Sequence, residues 1–421
     1  MKRLTLFTAL LVATILSLGT LSAKGLLEVK PECTNRWIYN EEVFFNIMLT
    51  AGEDGAAGML ELKVTTDKGV ELMAMSQSYG IRAGEPCQMQ FRIASLEAGF
   101  YRAYLYDDGV EAAAFNFGVR PDEVISPRDA NDDFWPFWEQ SLKELGEVDP
   151  EYKLKRDKSL SGKLREVYTV EMKSWGGETI RGYWVVPKAK GKYPVIVTYM
   201  GYSSKPWCPD ADSRSDIAEF VLSHRGQGLN EFENKYGDWI RYKLDDRYNY
   251  YYRGAFLDAV RAIDFVWSRE KCDRELIFVD GGSQGGALTL AAASLDGRIA
   301  GAAPFVPFLS DYPDYFAIVD WPKWPVVEEA NRLGLEPEQM YDTLSYFDIK
   351  NLVEHIKCPV LMGFGLQDFV CPPHTNFAGF NNIPTEKRWI VFPHAGHQVE
   401  LESEWWQARE EFYRGIIQSK R

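Results

Sequence analysis

The sequence predicts an α/β protein whose mostly parallel sheet carries helices on both faces, preceded by a small all-β sandwich. Three observations lead there. Up to about residue 119, short strand-like runs are separated by turn signals. From about residue 193, buried strand-like runs alternate with segments of helical spacing, as βαβ units do. One of those strands, Leu276-Ile277-Phe278-Val279, runs through Gly281-Gly282-Ser283-Gln284-Gly285-Gly286 into the helix-prone stretch Ala287 to Ala293.

Taken in chain order, residues 1–23 read as a signal peptide: Lys2 and Arg3, an apolar stretch from Leu4 to Leu18, then Leu21-Ser22-Ala23 ending in a small residue suited to cleavage. The mature chain is then expected to start near Lys24 and to be exported, periplasmic or secreted; an uncleaved anchor is the alternative. No later stretch is long and apolar enough to span a membrane. No cysteine stands at the cleavage point to take a lipid anchor.

Residues 24–120 are expected to form an immunoglobulin-like sandwich. Val43 to Leu49 and Leu60 to Val64 are short strands, and Phe100–Tyr106 with Phe115, Phe117 and Val119 reads as a hairpin about Asp107-Asp108-Gly109. A linker follows from Pro121 to Pro127, and residues 121–421 are assigned to the α/β domain. Phe134, Trp135, Phe137, Trp138, Leu142 and Leu145 trace one helix face. Val167–Val170 and Gly182–Val186 flank a Gly176-Gly177 turn. Tyr193–Tyr199 is a buried strand, and Phe256, Val260, Ile263 and Trp267 fall at helical spacing. Ala302–Phe308, Pro359–Gly363 and Trp389–Phe392 are further strands, and a helix from Glu402 to Ile417 closes the chain. In such a sheet, ligands bind beyond the carboxyl ends of the strands.

With 421 residues the chain holds two or three domains and a large core. A net charge of −14 argues against nucleic acid and anionic membrane surfaces as partners. The six cysteines match no zinc spacing; Cys33 and Cys87 share the first domain and either pair across strands or stay free.

A strand running into G-x-S-x-G and out into a helix is the nucleophile elbow of α/β-hydrolases, in which a sharp turn lifts the serine clear of the sheet. Alone, the hexapeptide also fits an ordinary glycine-rich loop. A serine hydroxyl needs a base, and the base an orienting carboxylate. In this fold the order is Ser, acid, His. Of the five histidines, His394 and His397 lie in the loop after the strand Trp389–Phe392. His397, preceded by Gly396, is the preferred base and His394 its alternative. Asp368 ends the segment after Pro359–Gly363 and supplies the acid; a loop-capping aspartate is the plainer reading. The backbone N–H groups of Gln284 and of Tyr202, in the loop Met200-Gly201-Tyr202-Ser203, are the expected oxyanion donors.

Beyond these residues, the chain from about Asp132 to its end resembles the acetylxylan esterase / cephalosporin-C deacetylase family, carbohydrate esterase family 7. The resemblance rests on Arg225-Gly226-Gln227-Gly228, on Tyr252-Arg253 with Asp258 to Ala262, and on the elbow. It continues in Pro307-Phe308-Leu309, Thr343 to Asp348, Gly365 to Asp368 with Cys371-Pro372-Pro373, and Gly396-His397. It implies Ser283 as nucleophile, Asp368 as acid, His397 as base, and Tyr202 and Gln284 as backbone donors. It also implies that the Tyr202 side chain lies beside a small acyl pocket, and that Arg225 and Gln227 tie loops together. The implied substrate is a small acetylated saccharide, with no metal or organic cofactor. Two departures stand out: Met200 where the family has histidine, and Ser223-His224 where an aspartate is usual shortly before the R-G-Q-G motif. Family members often form hexameric rings; the added β-domain leaves a homo-oligomer open. Trp321 and Trp324 are read either as sugar platforms or as packing for their insertion. The competing functions are an esterase of other acyl or alcohol preference, a serine peptidase of the prolyl-oligopeptidase type, and a non-catalytic glycan-binding protein on the same scaffold.

Overall fold

The structure, a computed structural model, describes residues 27–421; the expected signal peptide and its cleavage point lie outside them. The described chain forms two compact units. One takes in the residues up to Glu97 with Tyr101–Val119, the other Ala98–Phe100 with Arg120–Arg421.

The first unit is built on β1 (Leu27–Pro31), β2 (Ile38–Tyr39), β3 (Val43–Ala51), β4 (Ala56–Thr66), β5 (Glu71–Ile81), β6 (Pro86–Ile93), β7 (Gly99–Asp107) and β8 (Val110–Val119). They form a three-stranded sheet β1-β3-β6 and a five-stranded sheet β2-β8-β7-β4-β5. Alternation in β3 buries Val43, Phe45, Ile47 and Leu49 on one face. Phe45 meets Phe115 and Phe117 of β8 edge-on, with ring centroids 5.0 Å apart in both pairs, so the two sheets close over an aromatic core. Each such ring contributes about 1.5–3 kcal/mol by burial. The hairpin expected at Asp107-Asp108-Gly109 is there: Asp108 at φ 46° and Gly109 at φ 85° supply the two positive φ values of a tight hairpin turn.

The second unit carries β9 (Lys153–Asp157), β10 (Arg165–Lys173), β11 (Thr179–Pro187), β12 (Tyr193–Tyr199), β13 (Ala218–Ser223), β14 (Cys272–Gly282), β15 (Gly301–Phe305), β16 (Val360–Gly365) and β17 (Lys387–Phe392). They make one sheet in the order β17-β16-β15-β14-β12-β13-β11-β10-β9. Strands from β17 to β13 pair in parallel, and β11, β10 and β9 add antiparallel pairs at one edge. The helices are α1 (Phe134–Gly146), α2 (Tyr251–Trp267), α3 (Gln284–Leu295), α4 (Tyr312–Ile318), α5 (Lys323–Leu333), α6 (Pro337–Ser345), α7 (Ile349–Leu352), α8 (Pro373–Asn381) and α9 (Ser403–Ser419). Residue alternation in β14 places helices on both faces. Phe278 and Asp280 point toward α9, where they meet the Tyr413 ring at 4.5 Å and the Arg409 guanidinium at 2.6 Å. Tyr199, paired with Gly281 and so facing the other way, donates to the Ala259 carbonyl of α2 (3.0 Å).

The run Ala302–Phe308 is strand only to Phe305, because Val306 (φ 39°) and Leu309 (φ 59°) turn the chain away. The short strand β13 was not anticipated; it lies among the serines, arginines and aspartates that follow β12. All six cysteines, Cys33 and Cys87 included, are free thiols.

Candidate active site

Strand β14 delivers Ser283 to the start of α3 in a strained backbone conformation, φ 57° and ψ −122°. A non-glycine residue there costs about 1–3 kcal/mol, and the surroundings must hold it. They do so through backbone bonds: Ser283 N–H donates to Phe305 O, and Ser283 O accepts from Ala287 and Phe308 N–H, each at 3.1 Å. The helix can start this close to the sheet only because residue 285 is glycine; a Cβ there would lie 2.1 Å from the Tyr199 carbonyl oxygen. Helix α3 is buried from Gln284 to Ser294, which makes it a rigid base for the nucleophile.

Asp368 follows β16, and His397 follows β17. The carboxylate is buried, and its Oδ1 accepts from the N–H groups of Val370 (2.7 Å) and Cys371 (3.0 Å). That leaves Oδ2 for His397 Nδ1, at 2.8 Å. The two loops are held together: Gln367 N–H donates to Ala395 O (3.0 Å) and the Gln367 side chain to Pro393 O (2.8 Å). Gly365 permits this contact, since a Cβ there would lie 2.0 Å from Gly396 O. His394 is exposed and does not line the cleft. Burial works against a charged His397. The Asp368 charge and hydrogen bond, with Glu400 behind them, outweigh it and hold the imidazole above its ordinary pKa.

Ser283, His397 and Tyr202 line one cleft of about 640 Å³ at the carboxyl ends of β12, β14 and β15. Asp368 lies behind His397. The Cys371 thiol is within hydrogen-bonding reach of Ser283 and Tyr315, and burial pushes its pKa far up, so it stays neutral beside Ser283. Gln284 opens α3, where the first N–H groups have no acceptor within the helix. Tyr202 stands in the loop directly after β12. Its hydroxyl donates to Asp238 (2.6 Å), and its ring meets Trp239 and Trp321 edge-on at 4.9 and 5.5 Å.

Behind these two backbone positions lies an uncharged network. Ser203 N–H donates to Gln227 Oε1 (3.0 Å), and Gln227 Nε2 donates to Tyr251 (2.8 Å) and to Gln284 Oε1 (3.2 Å). Tyr252 also donates to Gln284 Oε1 (3.1 Å). Gln284 Nε2 donates to His224 Nε2 at 2.7 Å, which puts the ring's single proton on Nδ1. Burial pushes the His224 pKa down to about 4, so the ring stays neutral. Arg225 is locked by three bonds to buried Asp258, from its backbone N–H (2.9 Å), Nε (2.9 Å) and Nη2 (2.7 Å). Gln227 thus joins the Tyr202 loop to the start of α3. The family resemblance implied Gln227 as a loop tie, but nothing pointed to His224 and Tyr252 sharing the task. The two departures from the family pattern also meet: the Ser223 hydroxyl donates to Met200 Sδ at 3.2 Å.

Of the two readings of Trp321 and Trp324, the contacts fit packing of their insertion. Trp207 and Trp406 line the cleft, and Trp321 and Trp324 do not. Trp321 stacks on Phe308 (5.5 Å) and braces Tyr202 from behind, while the Trp324 indole bonds Asp320 within its own insertion. Trp207 follows β12 and Trp406 lies in α9; only the folded topology brings them together.

An elbow serine, a histidine bonded to a buried aspartate, and this sheet order define a serine hydrolase of the α/β-hydrolase fold. The family description "Acetyl xylan esterase (AXE1)" matches residues 123–411, and the chain belongs to that family; it is a serine carboxylesterase. It is 30% identical over 341 residues to acetyl esterase Axe7A of Xylanibacter ruminicola, covering 73% of each chain. Among solved structures it resembles the acetyl xylan esterase from Paenibacillus sp. R4 (31% identity, TM-score 0.66). It also resembles acetyl xylan esterase 1 from Thermoanaerobacterium sp. JW/SL YS485 (29% identity, TM-score 0.64). Each likeness covers 70% of this chain and 98% of the other.

Proposed function

We propose that the protein is an exported esterase that removes acetyl groups from acetylated saccharides, xylo-oligosaccharides among them, through an acyl-enzyme on Ser283. The observation that carries this reading is the His397–Asp368 bond of 2.8 Å beside the cleft that holds Ser283. Neutral His397 takes the Ser283 proton as the hydroxyl oxygen attacks the acetyl carbonyl, and Asp368 stabilises the imidazolium that forms. The oxyanion develops toward the N–H groups of Tyr202 and Gln284, each such donor typically worth about 10²–10³ in turnover. His397 then returns the proton to the departing sugar hydroxyl. Water, deprotonated by the same imidazole, releases acetate. Acetyl specificity is supported by the activities named for the relatives and by the braced Tyr202 ring at the cleft wall.

The test is hydrolysis of acetyl, butyryl and longer esters, with acetate release from acetylated xylo-oligosaccharides. The expected result is a steep fall beyond acetyl, with Ser283→Ala reduced about 10⁶-fold. Equal rates across acyl lengths would refute deacetylation. Export rests on residues 1–23 alone; N-terminal sequencing of protein from the periplasm or medium is expected to begin near Lys24.

A further inference from the structure

The cleft around Ser283 is unevenly charged. Four carboxylates line it: Asp210, Glu219, Asp280 and Glu400. Two of them are neutralised locally, Asp280 by Arg409 (2.6 Å) and Glu219 by the buried Arg165. Asp210 and Glu400 form no ion pair with Lys or Arg among the described residues, and Arg409, the single Lys or Arg lining the cleft, is already committed to Asp280. Among the described residues, two negative charges without a Lys or Arg partner therefore line the cleft that holds Ser283, one of them, Glu400, also acting on His397.

The same wall presents an indole. Trp406 is 38% exposed although it lines a cleft, and it is held in place from three sides. Its N–H donates to Glu400 O (2.8 Å), the Arg409 guanidinium stacks on its ring at 4.6 Å, and Phe305 meets it edge-on at 6.1 Å. An indole fixed at the cleft wall offers a flat apolar surface on which the C–H face of a pyranose can pack.

We propose that this cleft selects electrically neutral acetylated saccharides, seated on the Trp406 indole, and that Asp210 and Glu400 exclude acetyl esters whose alcohol part carries a carboxylate. The proposal rests on the esterase reading above and narrows its substrate class. Acetylated uronic acids, which keep a free carboxylate, fall on the excluded side.

The test uses matched aryl acetates, para-acetoxybenzamide and para-acetoxybenzoate, which any acetyl esterase of this kind meets as small substrates. At low salt, kcat/KM is expected to favour the neutral ester by about tenfold beyond the ratio of their reactivities toward hydroxide, shrinking as salt screens the carboxylates. Asp210→Asn with Glu400→Gln is expected to bring the corrected ratio within about twofold of one. Trp406→Ala is expected to lower kcat/KM for acetylated xylotriose about tenfold more than for para-acetoxybenzamide, with Trp406→Phe restoring most of the difference. Equal corrected rates on the two aryl esters overturn the charge filter. An equal effect of Trp406→Ala on both substrate types, or aryl hydrolysis without acetate release from xylotriose, overturns the saccharide seat. Hydrolysis of no acetyl ester at all overturns the esterase reading itself.

Discussion

The two sides of Ser283 are built on different physics. On the acid–base side, a charged carboxylate is fixed by two backbone N–H groups and spends its other oxygen on one imidazole. On the side proposed to hold the oxyanion, the Tyr202 loop and the start of α3 are joined by a neutral web of Gln227, Gln284, His224, Tyr251 and Tyr252. The first arrangement is short and strong because its bonds are charge-assisted. The second is a set of individually modest bonds that orient one another, so its strength depends on completeness. Removing one member of the charged pair is therefore expected to damage chemistry, and removing one member of the neutral web to loosen geometry.

Asp368→Asn tests the charged side most severely. It leaves the shape in place but removes the charge that stabilises the imidazolium and favours the wrong tautomer, and kcat is expected to fall about 10⁴-fold with little change in melting temperature. Gln227→Ala tests the web. Ser203 N–H and the Gln284 carboxamide oxygen each lose a partner, so stability is expected to drop about 1–3 kcal/mol. The rate on small acetyl esters is expected to fall about 10–100-fold, mostly in kcat, readable from denaturant melts and initial rates. If Gln227→Ala proves as damaging as Asp368→Asn, the division between the two sides fails.

Acid dependence separates the sides again. His397 must be neutral to accept the Ser283 proton, and its pKa is held above its ordinary value, so kcat/KM is expected to rise with pH through a midpoint above about 6.5. Glu400→Gln removes one of the charges that raise it and is expected to move that midpoint downward. His224, held near 4, contributes no titration to this limb. The smallest effect belongs to Ser223→Ala. Among the described residues, the side-chain partner of its hydroxyl is the weak acceptor Met200 Sδ, and the change is expected to cost less than about 1 kcal/mol.

The same contrast explains what the sequence disclosed. Ser283, Asp368 and His397 were legible because each follows a recognisable strand in the order the fold imposes, and because the elbow needs small residues at fixed offsets. The strands β12, β14, β16 and β17 were legible as short apolar runs. The web was not, because His224 and Tyr252 are distant in sequence from Gln284 and carry no pattern that distinguishes them from ordinary buried residues. The aromatic lining of the cleft was hidden for a related reason. Trp321 and Trp324 stand out in a long insertion, whereas Trp207 and Trp406 reach the cleft only through the way β12 and α9 approach the sheet. Strand β13, six residues among polar neighbours, was hidden by the brevity of its apolar run.

We propose that Ser283 carries the acetyl group between the two half-reactions, with the charged pair driving proton transfer. The direct measurement is mass spectrometry of the enzyme quenched with acid during turnover of an activated acetyl ester, with His397→Ala and Ser283→Ala run alongside. One acetyl group is expected on the peptide that contains Ser283, greatly diminished in His397→Ala and absent from that position in Ser283→Ala. Acetyl transfer to another residue, or undiminished turnover by Ser283→Ala with no acetylated peptide, would contradict it.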